Sequence, residues 1–322
     1  MSILVTGGAG YIGSHVTRLL IGRGESVVVV DNLTSGLVER IGDAPLVRLD
    51  LSDADAESVL AKTMIDFGVS SVIHFAAQKQ VGVSVAEPEF YYDQNVSGMR
   101  ALLSAMKTAG VSRLVFSSSA AAYGMPNVAT VSEDLVCEPI NPYGETKLIG
   151  EWMARNASKA WGLRAANLRY FNVAGAGWPD LADTAVLNLV PIVFNAINSG
   201  KKPVVFGTDY ATADGSCVRD YVHVLDLAKA HLSALDYLER DDRPFDTFNV
   251  GTGSGSSVLE VLSEIRRVSR INFEAELADR RAGDPPALCA DVSRINAVLG
   301  WRAEQGLAEI VESAWSAFAA KK

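Results

Sequence analysis

Cysteine is scarce in this chain. Only Cys137, Cys217 and Cys289 occur in 322 residues. They form no C-x-x-C pair and lie near no histidine-rich spacing, which argues against a disulfide framework and a structural zinc, so no metal is expected. Long hydrophobic runs are missing as well; no window approaches the roughly 18 apolar residues that a membrane span needs. Basic residues are outnumbered, with 29 Lys and Arg against 38 Asp and Glu and a net charge of −9. A general affinity for nucleic acid or an anionic membrane is therefore not expected, although a local basic pocket is compatible with that balance. The opening MSILVTGGAG has no basic segment ahead of a long apolar one. It reads as a strand and a turn instead of a secretion signal, and the expected location is the cytoplasm. Internal repeats and low-complexity tracts are absent.

A 48% hydrophobic and 21% charged composition fits a globular protein with a large core and more than one lobe. Short runs rich in Val, Ile and Leu at 3–6, 26–31, 46–50, 71–76, 113–118 and 164–170 are apolar on both faces, as buried parallel strands are. Amphipathic stretches at 11–23, 53–67, 90–109 and 143–161 separate them. The expected class is α/β: a Rossmann-type doubly wound parallel sheet over 1–175, with 224–251 returning to it. A smaller mixed α/β C-terminal substrate lobe is expected over 176–223 and 252–322. Its helices are expected at 184–198, 225–239, 257–268 and 306–319, with a strand at 247–251.

The segment TGGAGYIG follows the first strand and opens the first helix, spacing Gly7, Gly10 and Gly13 as G-x-x-G-x-x-G. Such glycines permit a tight turn, let backbone approach a pyrophosphate and allow close helix–sheet packing; the helix N-terminus then offers N–H groups to the phosphates. The second strand ends at Asp31. Its carboxylate suits ribose hydroxyls and would repel a 2′-phosphate, favouring NAD over NADP, though DNLTSG also fits a turn that this Asp merely caps. Asp50, at the end of the third strand, fits either the adenine edge or a simple cap.

The fifth strand ends in SSSAAAYG, which places serines where ligands bind in open α/β sheets. Further on stands NPYGETK. Asn141 as N-cap and Pro142 at the first helical position start a helix on which Tyr143 and Lys147 lie one turn apart. A free tyrosine titrates near about 10, too high for a base at neutral pH, and a nearby cation lowers that value. Lys147 provides one cation and an oxidised nicotinamide a second. With a serine hydroxyl donating to the same oxygen, the trio can remove a proton from an alcohol as hydride leaves its carbon. A lone Tyr–Lys pair is commonly a bland exposed helix face; the dinucleotide turn, the Ser-ended strand and the helix cap together favour chemistry.

VTGGAGYIGSH, VVDNL, VIHFAA, YYDQNVSG, FSSSAAAYG, NPYGETK, LRYFN, VRDYVHVLDLA, FNVGTG and RRAGDPPA run from residue 2 to about residue 315. With them the chain resembles the extended short-chain dehydrogenase/reductases that act on nucleotide sugars, within the NAD-dependent epimerases and dehydratases, and most of all the UDP-glucose (UDP-galactose) 4-epimerases. The resemblance implies that Gly7, Gly10, Gly13, Asp31, Asn32 and Asp50 hold the adenosine and pyrophosphate of NAD, with Tyr11, Ile12 and Leu51 in the same cofactor-binding set. Phe75, Ala76, Ala77, Lys79, Asn95 and Ser117 would line the cofactor, and Tyr170 would flank the nicotinamide. Ser119, Tyr143 and Lys147 would be catalytic. Asn172, Asn188, Phe206, Arg219, Tyr221, Arg281 and Asp284 would bind the UDP moiety: arginines as forked donors to the diphosphate, Phe206 against uracil, Asp284 on ribose hydroxyls. The alternatives are a surface Arg219–Asp220 ion pair and a core role for Phe206.

The implied reaction is redox-neutral. Tyr143 takes the proton of the 4-hydroxyl, the 4-hydrogen passes to NAD as hydride, the 4-keto sugar turns over, and both return to invert C4, with NAD staying bound between turnovers. A 4,6-dehydratase would carry Asp-Glu directly after the catalytic Ser or Thr, where Ala120-Ala121 stand. UDP-N-acetylhexosamine and UDP-glucuronate 4-epimerases are the alternatives on this fold; a non-catalytic NAD-binding regulator would have no need of Ser119, Tyr143 and Lys147. Ala121 also replaces a common Thr that hydrogen-bonds the sugar. By the resemblance, Leu288 occupies the position that in relatives sets the room in the sugar pocket, and its intermediate size leaves N-acetylated sugars open. The resemblance further implies a homodimer through the helices at 90–109 and 143–161.

Overall fold

The computed structural model describes residues 1–240, 245–281 and 283–320; Ala282 of the RRAGDPPA motif lies outside them. In chain order the first elements are β1 (Ser2–Thr6), α1 (Tyr11–Gly22), β2 (Ser26–Asp31), β3 (Leu46–Arg48), α2 (Ala56–Asp66), β4 (Val69–His74), α3 (Val81–Ala86), α4 (Pro88–Tyr91), a π-helical turn (Tyr92–Ser97), α5 (Gly98–Ala109), β5 (Arg113–Ser119), β6 (Thr130–Val131) and α6 (Pro142–Trp161). There follow β7 (Arg164–Tyr170), β8 (Asn172–Ala174), α7 (Leu189–Asn198), β9 (Val204–Phe206), β10 (Val218–His223), α8 (Val224–Tyr237), β11 (Phe245–Val250), β12 (Gly255–Ser257), α9 (Val258–Ser269), β13 (Glu276–Ala278), β14 (Ala287–Ala290), α10 (Ser293–Leu299) and α11 (Leu307–Ala319). Two units form: Met1–Gly124, Val136–Arg169 and Ala228–Phe248 in the first; Met125–Leu135, Tyr170–Leu227 and Asn249–Lys322 in the second.

The first unit is built on a seven-stranded sheet in the order β11-β7-β5-β4-β1-β2-β3. The pairs β1–β2, β1–β4, β2–β3 and β4–β5 are parallel. Leu4, Val28, Val72 and Leu114 pack with Leu60 and Met64 of α2 and Leu102 and Met106 of α5 in one buried cluster. Each such side chain contributes about 1.5–3 kcal/mol by leaving water. After β3 the chain crosses to the other side of β1, so strand order reverses between β1 and β4. The carboxyl ends of strands at such a reversal form the crevice in which doubly wound proteins bind ligands.

The second unit holds a sheet in the order β12-β10-β14-β6, with β8 also paired to β10, and a separate parallel pair β9–β13. Its core combines Val190, Val193 and Phe194 of α7 with Val261, Leu262 and Ile265 of α9 and Ile310 and Val311 of α11. No helix among the described residues is long and apolar enough to cross a membrane.

Three local differences from the sequence reading have identifiable causes. The helix expected at 90–109 is interrupted by the π-helical turn, inside which Asn95 points inward to partners described below. The helix expected from 184 begins at Leu189, because the Asp183 carboxylate accepts from Ala185 N at 3.1 Å and Asn188 Nδ2 at 2.8 Å and holds a turn instead. The strands β6, β8, β9, β10, β12, β13 and β14 were not expected: most span two to four residues, too few to show a period.

Candidate active site

The turn after β1 is shaped by close backbone approach. Gly7 has φ +69, and a Cβ there would lie 2.7 Å from Ala76 N; a Cβ on Gly13 would lie 2.2 Å from Gly7 O. Gly10 caps α1 without a side chain, and the N–H groups of Ile12 and Gly13 have no partner among the described residues. The glycines thus leave room and donors for a pyrophosphate at the N-terminus of a twelve-residue helix. This donor set fits a dinucleotide.

Asp31 is buried at the end of β2, its two carboxylate oxygens accepting from Ala9 N at 3.0 Å and Leu33 N at 2.8 Å. Each oxygen keeps a second lone pair, so the group is fixed in place yet can still accept from ribose hydroxyls. The turn is strained at Leu33, a non-glycine residue with φ 62. Next to it, Asn32 Nδ2 donates to Asp50 Oδ2 at 2.9 Å, while Ser52 and Gln94 reach Asp50 Oδ1. Burial pushes the Asp50 carboxyl up, but these donors together bring it below its ordinary value. Both turn readings of Asp31 and Asp50 are therefore present in the geometry, without closing either group to a ligand. Leu51 is buried in the sheet-and-helix core beside them.

At the end of β4, Phe75 packs on His231 with ring centroids 4.6 Å apart, Ala76 and Ala77 are half-buried and Lys79 is exposed. Asn95 anchors this segment. Its Oδ1 accepts from Gln78 N at 2.7 Å, and its Nδ2 donates to Gln78 O and Thr146 Oγ1, both at 3.0 Å. Thr146 in turn donates to Tyr143 O at 2.8 Å. Asn95 in the π-helical turn therefore joins the β4 loop to the helix carrying Tyr143, and such turns are frequent at functional sites.

That helix, α6, starts as its sequence indicates: Asn141 Oδ1 accepts from Gly144 N at 2.9 Å and Pro142 takes the first position. It then packs very closely. A Cβ on Gly144 would lie 2.5 Å from Ala121 O, and one on Gly150 2.5 Å from the Phe116 ring. Tyr143 and Lys147 are consequently buried, at 8% and 4% exposure. Lys147 Nζ donates to Ser117 O at 3.0 Å and lies 5.9 Å from the Tyr143 ring centroid. Burial lowers the ammonium to about 8. His74, bonded through Nδ1 to Thr6 Oγ1 at 2.6 Å, is held to about 3 by burial first and by the Lys147 charge second, so it is neutral and adds no second cation. Ser119 Oγ accepts from Ala121 N at 3.1 Å, and its hydroxyl is hydrogen-bonded to the Tyr143 phenol.

One expectation is corrected here. Lys147 was expected to pull the Tyr143 phenol down, but within the chain itself the phenol is raised. Burial is the largest influence, and Tyr91 adds to it; the Ser119 hydroxyl opposes them only in part. Removing a phenolate from water outweighs the help from an ammonium that is itself buried and engaged at a carbonyl. Ser117, expected to line the cofactor, has a fully buried side chain bonded to His231 Nε2 at 3.0 Å; its carbonyl is the part that meets Lys147.

In the second unit, Arg219 on β10 donates to the carbonyls of Val218 and Pro285 at 2.8 Å and to Asp284 Oδ1 at 3.3 Å. Asp284, not Asp220, is its acidic partner. Asp220 is fully buried and accepts from Thr252 N, Thr252 Oγ1, Gly253 N and Ala290 N at 2.7–3.1 Å. Leu288 of β14 stands opposite Arg219, and exposed Asn172 of β8 opposite Tyr221, a buried phenol that desolvation raises. Arg281 sits 3.8 Å over the Phe206 ring, so a uracil would have to displace it or use the other face. Asn188, at the start of α7, donates to Asp183, and Tyr170 is half-buried at the end of β7. Sequence reasoning missed Thr146, Gln78 and the buried Ser118, Glu151 and Arg169; a period of four along α6, from Tyr143 through Lys147 to Glu151, was the only available signal. No group of three or more His, Cys, Asp or Glu able to hold a metal ion occurs among the described residues.

Residues 3–251 match the model of the NAD dependent epimerase/dehydratase family. A UDP-glucose 4-epimerase of Halalkalibacterium halodurans is 42% identical over 98% of this chain and 95% of its own. The crystal structure of UDP-glucose 4-epimerase from Stenotrophomonas maltophila with bound NAD and formylated UDP-arabinopyranose superposes with a TM-score of 0.93 at 40% identity, covering 100% of this chain and 98% of that one. That of the Brucella ovis enzyme in complex with NAD gives 0.93 at 40% identity over 98% of each chain. A glycine turn at the head of a doubly wound sheet and a full-length match of this strength lead to one assignment: the chain belongs to the NAD-dependent epimerase/dehydratase family.

Proposed function

We propose that this chain interconverts UDP-galactose and UDP-glucose by transient NAD-dependent oxidation at C4 of the sugar. The observation that carries this reading is the Ser119–Tyr143–Lys147 group on a chain that matches UDP-glucose 4-epimerases over nearly its whole length. Bound NAD supplies a redox couple that takes up and returns the C4 hydrogen with its electron pair. Tyr143 accepts the proton of the 4-hydroxyl and later gives it back. Its phenol is raised by burial in the chain alone, so the positive charge that oxidised NAD would add beside it is needed to bring it into range as a base. Lys147, charged below about 8 and 5.9 Å from the Tyr143 ring centroid, would add its charge in support of the phenolate. Ser119, whose hydroxyl meets the Tyr143 phenol in the chain alone, turns its proton to the C4 oxygen. Ala120 and Ala121 provide no acid pair for eliminating water.

The first unit carries the cofactor and the proton transfer in this reading, and the second binds the UDP moiety through Arg219, Arg281, Asp284, Tyr221, Asn172, Asn188 and Phe206. Strong nucleotide binding combined with a loosely held sugar lets the keto intermediate turn over. A homodimer through the segments 90–109 and 143–161 completes it; Tyr92 and Trp152 leave aromatic surface exposed there. The test is conversion of UDP-galactose to UDP-glucose by the purified protein without added NAD. Folded, NAD-loaded protein that forms no UDP-glucose would refute the reading. A Tyr143→Phe variant should lose on the order of 10²–10⁴-fold in kcat while still binding UDP.

A further inference from the structure

Three residues outside the reacting group form a buried polar knot directly behind it. Ser118 Oγ donates to Glu151 Oε1 at 2.5 Å. Arg169 Nε donates to the same Oε1 at 2.8 Å and Nη2 to Oε2 at 2.6 Å. The two charged side chains are 7% and 5% exposed. Each member sits on a different element: Ser118 on β5, next to Ser119; Glu151 on α6, one turn beyond Lys147 and two beyond Tyr143; Arg169 on β7. Arg169 also lies over the Tyr123 ring, 4.8 Å from its centroid, at the end of the short 3-10 turn that Ser119 caps.

Strand alternation explains why two neighbouring serines do different work. Ser117 and Ser118 point to opposite faces of β5. Ser117 reaches His231 of α8, and Ser118 reaches Glu151 of α6. The helix is thus tied to β5 at two successive residues, through Lys147 to the Ser117 carbonyl and through Glu151 to the Ser118 hydroxyl. A cleft of about 310 Å³ borders the ion pair, bounded by Leu148, Trp152 and Arg155 of α6 and by Glu151 and Arg169 themselves. A bidentate ion pair adds a directional tie to the close packing of Gly150 on Phe116.

The geometry points to Ser118, Glu151 and Arg169 as positioning residues, a clamp that sets the distance and register of Tyr143 and Lys147 relative to Ser119 by locking α6 onto β5 and β7. Arg169 also keeps the Glu151 charge occupied, so the carboxylate does not pair with Lys147 on the same face of the helix. The charged and titratable groups around the knot are Arg169 from β7, Tyr123 from the 3-10 turn and Cys137; around Lys147 they are His74 from β4 and Tyr143. Burial acts against the Arg169 charge, but Glu151 raises its guanidinium well above the usual value, as expected for a closed pair.

The clamp rests on the catalytic reading of Tyr143 and Lys147, and its test separates the two. Glu151→Gln and Ser118→Ala variants would be purified as holoenzymes, and kcat, KM for UDP-galactose and the kcat–pH profile measured per bound NAD, with Tyr143→Phe as control. For E151Q the expected result is at least a tenfold fall in kcat with KM within twofold, because the proposed UDP contacts are elsewhere, and a displaced pH profile. For S118A, which removes one hydroxyl and keeps the ion pair, at least a threefold fall in kcat with unchanged KM is expected. S118A decides the matter if E151Q does not accumulate as folded holoenzyme. A wild-type kcat and pH profile per bound NAD, with only lowered thermal stability, would overturn the clamp and leave a merely structural ion pair. Retained turnover in Tyr143→Phe would overturn the clamp together with the catalytic reading.

Discussion

Replacing Lys147 with Met should make the protein more stable at neutral pH while abolishing its chemistry. The ammonium is 4% exposed, and burial lowers it from 10.5 to about 8. Holding the charged form inside the fold at pH 7 therefore costs roughly 3 kcal/mol. Methionine has similar length and no charge to desolvate. It forfeits the bond from Nζ to Ser117 O and leaves that carbonyl short of a donor, a loss of about 1–2 kcal/mol. The net expectation is a gain of about 1–2 kcal/mol for K147M at pH 7. The pH dependence gives a sharper signature. Lys147 binds fewer protons folded than unfolded between about 8 and 10.5, so wild-type stability rises with pH across that window. The advantage of the variant should be constant below about 8 and shrink above it. By 10.5 it should reverse, because a neutral lysine still donates to Ser117 O. Urea unfolding of both NAD-free proteins across this range measures the difference; bound NAD would add its own linkage. A K147M protein less stable than wild type at pH 7, or a difference independent of pH, would refute the reasoning.

Gly13→Ala should lower the NAD content of the purified protein at least tenfold and destabilise it by about 1–3 kcal/mol, read from cofactor absorbance and thermal unfolding, because the new Cβ would lie 2.2 Å from Gly7 O. Asp220→Ala should destabilise the second unit by on the order of 3–5 kcal/mol, since it strands four donors that now converge on one buried carboxylate; urea unfolding followed on the tryptophans measures it. Leu288→Tyr should suppress turnover of UDP-N-acetylgalactosamine relative to UDP-galactose, and Leu288→Ser should raise it; equal ratios in wild type and both variants would remove Leu288 from the specificity argument.

The parts of the site legible in the sequence are those set by neighbours along the chain. TGGAGYIG announces its turn because only glycine fits a backbone that folds back on itself, and NPYGETK announces its helix because Asn141 and Pro142 act within one turn. The runs that form β1, β2, β4, β5 and β7 are legible because strands buried on both faces are mostly apolar; the edge strand β3 shows only its Leu46-Val47 pair, ahead of exposed Arg48. The interrupted helix at 92–97 is not legible, since its cause is Asn95 bonding to Gln78 and Thr146, which stand 17 and 51 residues away. Nor is the true partner of Arg219, which is 65 residues distant at Asp284 instead of adjacent at Asp220.

Sequence alone thus determined the sheet class and the cofactor turn, and singled out Ser119, Tyr143 and Lys147 as the proposed reacting group. Tertiary structure alone decided how those groups ionise. The Tyr143 phenol is raised and the Lys147 ammonium lowered because Gly144 and Gly150 let α6 sink against Ala121 and Phe116, away from water. Spacing along a chain fixes which groups are neighbours on a helix face, but the free energy of a charge depends on everything packed around it, and those atoms arrive from β4, β5 and the rest of the fold.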